Sequence, residues 1–421
     1  MGPELKDGEW RAVCRFNGGE GGGGDRFDVI VVGAGHAGVE AACAAARMGA
    51  RVALLTFERA SVARMSCNPA IGGLAKGQIV REIDALGGVM ALATDATGIQ
   101  FRMLNTRKGP AVRAPRAQCD KPRYSEWILR YLDAVPGLTL IEGAAADILT
   151  DDRGVCGVAL EDGRRLAARA VVLCTGTFLD GLMHTGFDRT AGGRIGERAS
   201  TGLSDSLRRL GLETARLKTG TPPRLHKDSI DYARCGVQPG DDPPQPFSYL
   251  TERLDVDQIC CHLTWTNETT HRVIRDNLDR SPLYAGIIQG IGPRYCPSIE
   301  DKVVRFGERE RHQIFLEPES RSTDEVYANG ISTSLPRDVQ EAMVHSIAGL
   351  ERARFIRYGY AVEYTFVPPH QLRATLEARA VPGLFCAGQI NGTSGYEEAG
   401  GLGLVAGVNA VLRARGGPGG D

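Results

Sequence analysis

An α/β fold carrying an inserted mixed α+β domain follows from three observations. The apolar, β-branched run Val29-Ile30-Val31-Val32 feeds a glycine turn, Gly33-Ala34-Gly35-His36-Ala37-Gly38, and an alanine-rich helical pattern occupies residues 39–48. The chain closes on a second strand-to-glycine run, Gly383-Leu384-Phe385-Cys386-Ala387-Gly388-Gln389, with a helix of small residues running to about Leu412. Between them, from about Arg216, prolines cluster and short alternating runs replace the strand–helix rhythm. The first pattern is the opening of a Rossmann-like unit. The second converts it into a two-dinucleotide domain, the arrangement that separates a flavin fold from a plain nicotinamide one.

The opening unit has the G-x-G-x-x-G spacing of a dinucleotide site. Gly33 permits the tight turn, Gly35 lets backbone approach a pyrophosphate, and Gly38 lets the helix pack on the strand. The helix N-terminus offers unpaired N–H groups and a positive dipole end to phosphate. A second strand covers residues 51–56. An acid for the ribose is usual after it; Thr56 stands there with Glu58 two residues on, so that contact is unassigned.

Of 421 residues 24% are charged, and the formal net charge is −1, so no global field drives binding to nucleic acid or membrane. No run of eighteen apolar residues occurs, and no membrane helix is expected. Eleven cysteines are scattered without C-x-x-C or zinc spacing. The odd count favours a reducing cytoplasm over a disulfide framework. Residues 1–26 read as a disordered tail: they hold a glycine linker and no apolar signal segment, and Glu4, Asp7 and Glu9 argue against a mitochondrial presequence.

After the second strand, Cys67 lies in Met65-Ser66-Cys67-Asn68-Pro69-Ala70-Ile71-Gly72-Gly73, ahead of a helical pattern over 74–86. A thiol near helix N–H groups, with Arg64 and Lys76 close in sequence, is expected to be reactive; the alternative is a structural cysteine in a tight loop. Residues 101–123 form the main basic patch. Arg102, Arg107, Lys108, Arg113, Arg116, Lys121 and Arg123 are opposed only by Asp120, and two X-Pro steps predict a loop. Such a loop suits phosphate-backbone contact or is simply solvated. Residues 138–148 read as one strand, 154–160 and 164–166 as a hairpin around Asp162-Gly163, and 170–173 as a buried strand running into Cys174-Thr175-Gly176-Thr177. In two-dinucleotide flavoproteins such a meander brings the backbone near Ala145 to the adenine end of a flavin.

The insertion holds a second candidate thiol, Cys296, in a loop stiffened by Pro293 and Pro297 and flanked by Arg294. In the closing unit, Gly400-Gly401 weakens the last helix unless close packing uses it. The expected division is a tail over 1–26, nucleotide-binding parts over 27–215 and 350–413, an inserted domain over 216–349, and a second tail over 414–421.

Five motifs together resemble the MnmG (GidA) family: MSCNPAIGG at 65–73, KGPAVRA at 108–114, LKTGTPPR at 217–224, GPRYCPSIEDK at 292–302 and AGQINGTSGYEEA at 387–399. The resemblance runs over residues 27–412. It implies FAD binding at Gly33, Ala34, Gly35, His36, Ala37 and Gly38, near Ala145 and Ser200, and at Gln389. It implies NADH binding along Gly292-Pro293-Arg294-Tyr295-Cys296-Pro297-Ser298-Ile299-Glu300-Asp301-Lys302-Val303-Val304-Arg305-Phe306. It makes Cys67 and Cys296 the two catalytic thiols. The implied reaction adds an aminomethyl or carboxymethylaminomethyl group to C5 of the wobble uridine of tRNA, with an MnmE-type GTPase as partner, methylene-tetrahydrofolate as one-carbon donor, and a cytoplasmic homodimer as the working form. No metal is implied. Family members usually continue with a C-terminal helical domain, and this chain stops soon after the Gly-Tyr-Glu-Glu motif. Three other readings stand beside this one: a flavoprotein remnant that binds FAD or a partner without turnover, a folate-dependent tRNA uridine methyltransferase of the TrmFO kind, and a general NADH-linked flavin reductase.

Overall fold

A computed structural model describes residues 26–292 and 297–416. Pro293, Arg294, Tyr295 and Cys296 lie outside the described residues, as do most of the two expected tails.

The first unit forms as its sequence predicts. Strand β1 (Val29–Val32) is buried along its whole length and ends at Gly33, whose φ of 101° a side chain would resist. Helix α1 (His36–Arg47) and strand β2 (Val52–Thr56) follow. The chain then makes β3 (Ala70–Gly72), α2 (Lys76–Ala85), α3 (Met90–Thr97), β4 (Gly98–Leu104) and β5 (Ala114–Cys119). Strands β3, β5 and β4 pair antiparallel in that order. The basic stretch is therefore a β-hairpin and not a loop. Its tip exposes Arg107 and Lys108, while Arg116 reaches Glu317 at 2.8 Å. Asp120 caps the next helix, α4 (Lys121–Asp133), by accepting from the Arg123 amide.

Residues 138–148 are two strands in different sheets, not one. β6 (Leu138–Glu142) extends the parallel sheet against β2, and β7 (Ala145–Asp151) pairs antiparallel with β8 (Gly154–Leu160). Gly143 donates to the Thr56 carbonyl at 2.8 Å, and the chain then leaves the parallel ladder. β9 (Arg165–Ala167) completes the meander, and β10 (Ala170–Leu173) re-enters the central sheet beside β1.

Next come β11 (Leu182–Thr185), β12 (Asp188–Ala191), α5 (Leu203–Arg209) and β13 (Ala215–Thr221). The insertion contributes β14 (Arg224–His226), β15 (Gly236–Gln238), β16 (Cys261–Trp265), α6 (Glu268–Arg275), α7 (Ile299–Arg305), β17 (Gln313–Pro318), β18 (Glu325–Asn329), α8 (Arg337–His345) and β19 (Phe355–Arg357). These strands form one six-stranded sheet, β15-β16-β17-β18-β14-β19, over its own apolar core. Strand β20 (Tyr360–Phe366) pairs along its length with β13, in a four-stranded sheet with β11 and β12. The change in composition at 216 thus falls inside β13, and the six-stranded sheet extends past 349 to Arg357.

β21 (Leu384–Cys386) ends the parallel sheet, whose order is β21-β10-β1-β2-β6. Helix α9 (Tyr396–Ala414) lies directly on α1. A Cβ on Gly403 would stand 2.0 Å from the Ala37 carbonyl oxygen, and one on Gly407 2.3 Å from that of Ala41. Glycine costs about 1 kcal/mol in a helix interior, and here it lets two helix backbones touch. Of the pair anticipated from sequence, only Gly400 is crowded: its Cβ would meet the Met90 side chain at 2.8 Å.

Candidate functional site

The carboxyl ends of the parallel strands open into a cavity of about 430 Å³, within the range of small-molecule sites. Its floor is the first glycine turn: Gly33, Ala34, Gly35, His36 and Ala37 all line it. Gly38 does not. A Cβ there would lie 1.8 Å from the Gly33 oxygen, so it serves helix–strand packing, while a Cβ on Gly35 would meet nothing within 4 Å. Ala145 from β7, Ser200, Gln389 after β21 and Cys67 also line the cavity, so residues far apart in sequence converge. Thr56 and Ser61 face it, their hydroxyls 3.3 Å apart, whereas Glu58 is exposed and contributes nothing to the lining.

The stretch from Gly292 to Phe306 does not line the cavity in its described part. Ser298 caps α7, accepting from the Asp301 amide at 3.2 Å, and Ile299, Glu300 and Val303 are buried. Lys302 donates to the Gly330 carbonyl at 2.8 Å, Arg305 stands 3.6 Å from Asp301, and Val304 and Phe306 are exposed. Pro297 is half-buried. The approach to Gly292 is nevertheless pinned near the site. Glu363 accepts from the amides of Gln289 and Gly290 at 2.9 and 2.7 Å, and the Lys218 amide donates to Ile291. Lys218 precedes Thr219, Gly220 and Thr221, which line the cavity.

The surroundings of Cys67 differ from the sequence expectation. Strand β3 intervenes before α2, so the thiol does not open a helix. Arg64 pairs with Glu197 at 2.8 Å and Lys76 with Glu397 at 3.1 Å. The Cys67 amide donates to the Tyr396 hydroxyl at 2.9 Å, and its sulfur lies 2.8 Å from the Tyr327 hydroxyl and 3.7 Å from the Gly220 oxygen. Arg224 lies over the Tyr327 ring at 4.7 Å and Lys121 at 5.9 Å. Both cations converge on Glu319, at 3.0 and 2.8 Å.

Burial and pairing pull against each other in this cluster. Burial pushes Lys121 down to about 8 in spite of Glu319. Burial also works against the charge of Arg224, but Glu319 and the neighbouring groups together more than offset it and hold the guanidinium above its usual range. Burial would raise Glu319, yet the two cations bring it down to about 2. On the cavity floor, burial lowers His36 to about 3, so its imidazole is neutral, and its ring stacks on Tyr396 at 4.4 Å. Burial raises Tyr396 well above the usual phenol range.

Sequence reasoning pointed to none of Tyr327, Arg224, Lys121 and Tyr396 as site residues. Three of them lie in stretches it did single out, the basic patch and the LKTGTPPR and Gly-Tyr-Glu-Glu motifs; Tyr327 sits mid-strand in an alternating run and carries no such signal.

The site suits a polar, phosphate-bearing dinucleotide. No side chain caps α1, which leaves its first-turn amides to a ligand. His36 Nε2, Asn68 Oδ1 and Thr175 Oγ1 are buried on lining residues with no hydrogen-bond partner among the described residues, and such atoms ordinarily have one. No described helix is long and apolar enough to cross a membrane.

Known proteins resemble this chain closely in sequence and fold. The family model described as "Glucose inhibited division protein A" matches residues 28–418. A protein of Pelobacter propionicus named tRNA uridine 5-carboxymethylaminomethyl modification enzyme MnmG is 58% identical over 390 residues, which are 93% of this chain and 62% of that protein. A namesake from Rhodopirellula baltica is 57% identical over 92% of this chain and 61% of its own length. The chain therefore spans about three-fifths of these relatives. The structure of Aquifex aeolicus GidA superposes with a TM-score of 0.90 at 54% identity, over 93% of this chain and 67% of that one.

Proposed function

The chain belongs to the glucose inhibited division protein A family, and from that membership we propose that it carries out FAD- and NADH-dependent addition of an aminomethyl or carboxymethylaminomethyl group to C5 of the wobble uridine of tRNA. The observation that carries the reading is the convergence on one cavity of the uncapped α1 N-terminus, three buried polar atoms without a partner among the described residues, and the Cys67 thiol. FAD, when bound, supplies the two-electron redox chemistry that NADH drives.

The residues divide the work as follows. The first-turn amides of α1, reached past Gly35, hold the pyrophosphate. Ala145, Ser200 and Gln389 meet the rest of the cofactor. Cys67 adds its thiolate to C6 of the uracil, which raises electron density at C5 for bond formation there; loss of the C5 proton then expels the sulfur. Tyr396 fixes the backbone of that thiol from the cofactor side. Cys296 as second thiol, the NADH segment from Gly292 to Phe306, the MnmE-type GTPase, the methylene-tetrahydrofolate donor and the homodimer rest on the family resemblance.

The test is mass analysis of tRNA nucleosides after incubation with this chain, the GTPase, glycine or ammonium, the folate and NADH. Modified uridine from the parent chain, and none from a Cys67→Ser variant that keeps its flavin absorbance, is the expected result. Undiminished product from the variant would remove the thiol from the mechanism, and a parent chain with no flavin band that NADH bleaches would remove the cofactor assignment.

A further inference from the structure

We propose that Tyr327 is a positioning residue for the Cys67 thiol, presenting its hydroxyl to the sulfur as a hydrogen-bond donor. The proposal rests on the reading of Cys67 as nucleophile. Among the described residues, two groups stand in hydrogen-bond contact with the sulfur: the Gly220 carbonyl oxygen at 3.7 Å and the Tyr327 hydroxyl at 2.8 Å. A carbonyl only accepts, so it takes the S–H of the neutral thiol. A phenol both donates and accepts, so its O–H can be directed at sulfur across that distance. When the thiol proton departs to solvent, the Gly220 contact is lost and the Tyr327 contact becomes charge-assisted and stronger. No proton passes to the tyrosine.

The surroundings fix this phenol in place. Tyr327 stands in mid-strand, in register with Arg224 on β14 and Glu317 on β17, and is 3% exposed. Arg224 and Lys121 lie against its ring, an attraction of cation for π-face, and both are tethered to Glu319. Arg224 also donates to the carbonyl of Ser66, the residue before the thiol, at 3.3 Å. The inserted sheet thereby supplies a polar group to the wall of a cavity whose floor belongs to the nucleotide fold.

The experiment is alkylation of the purified full chain with iodoacetamide, with label at Cys67 quantified by peptide mass and normalised to Cys235 in the same sample. Tyr327→Phe keeps the ring and its cation contacts and loses only the hydroxyl. At pH 7 it is expected to slow Cys67 labelling about tenfold, the scale of one hydrogen bond to a charged group, with the parent rate regained at pH 10. Tyr327→Leu, which lacks the ring as well, is expected to be at least as slow at pH 7. Parent-like labelling of the phenylalanine variant at pH 7, alone or with a slow leucine variant, would overturn the proposal, as would slowing that persists at pH 10, because each assigns the effect to packing. Labelling needs neither tRNA nor partner, so this result and that of Cys67→Ser on uridine modification can fail independently.

Discussion

Glu40 illustrates how far a single side chain departs from its sequence context. It lies on α1, is buried, and accepts from the amides of Val89 and Met90 at 2.8 to 3.1 Å, closing the start of α3. Burial raises it to about 7 from 4.5, against the pull of those amides. Its folded pKa lies above its unfolded one, so its contribution to stability is full below about 4.5 and is lost as pH climbs through about 7. The melting temperature of Glu40→Gln is therefore expected to fall less than that of the parent chain between about pH 5 and pH 8, since the amide oxygen keeps one acceptor and carries no charge. Glu319 has the opposite sign. With its pKa brought to about 2, its contribution is present above about 4.5 and lost as pH falls toward 2. Glu319→Gln leaves Lys121 and Arg224 facing each other uncompensated, and denaturant titration at pH 7 is expected to read a loss of about 3–5 kcal/mol. Neither role was legible in the sequence. Carboxylates at 40 and 319 find amides or cations brought by remote segments, and no local spacing encodes that meeting.

At the scale of elements, local signals served best where the chain needs only its own neighbours. The β1 turn and α1 formed as read because a buried β-branched strand, a glycine with positive φ and an alanine-rich helix are each determined within a few residues. The run over 138–148 misled because strand propensity does not say which sheet a strand joins; Gly143 was the one local hint of the break. The basic stretch misled for a related reason. Two X-Pro steps suggest a loop, but β4 folds back on β5 to make it a hairpin, and β3, over twenty residues earlier in the chain, pairs along the other edge of β5. The last helix gives a direct test of packing. Gly401→Ala places a Cβ at an ordinary 3.5 Å from Ile79 and is expected to raise stability by about 0.5–1 kcal/mol. Gly407→Ala, with its Cβ driven against the Ala41 carbonyl, is expected to lower it by about 1–3 kcal/mol. Thermal unfolding of the two variants side by side decides between a seam and a mere weakness in the helix.

Across the whole molecule, the candidate site draws on two structural layers, and buried ion pairs bind them together. Arg116 on β5 meets Glu317 on β17, and Lys121 at the start of α4 meets Glu319, so the nucleotide fold and the inserted sheet share charge at their contact. Glu317 is fully buried. Arg116→Met strands that carboxylate and is expected to lower stability by about 3–5 kcal/mol, read in denaturant, whereas the double change with Glu317→Leu is expected to recover much of it. The sequence showed both thiol-bearing motifs and both glycine turns, hence the cavity floor and one reactive group. It could not show that the wall behind Cys67 comes from the insertion, because that depends on the register of a six-stranded sheet whose members are spread from 224 to 357.

The backbone contact between α1 and α9 also bears on how the protein is made. The alanine-rich face of α1 waits for Gly403 and Gly407, which leave the ribosome some 360 residues later, on the order of tens of seconds at ordinary elongation rates. Throughout that interval the nascent domain presents an uncovered apolar stripe. Its synthesis is thus a natural point of dependence on chaperones.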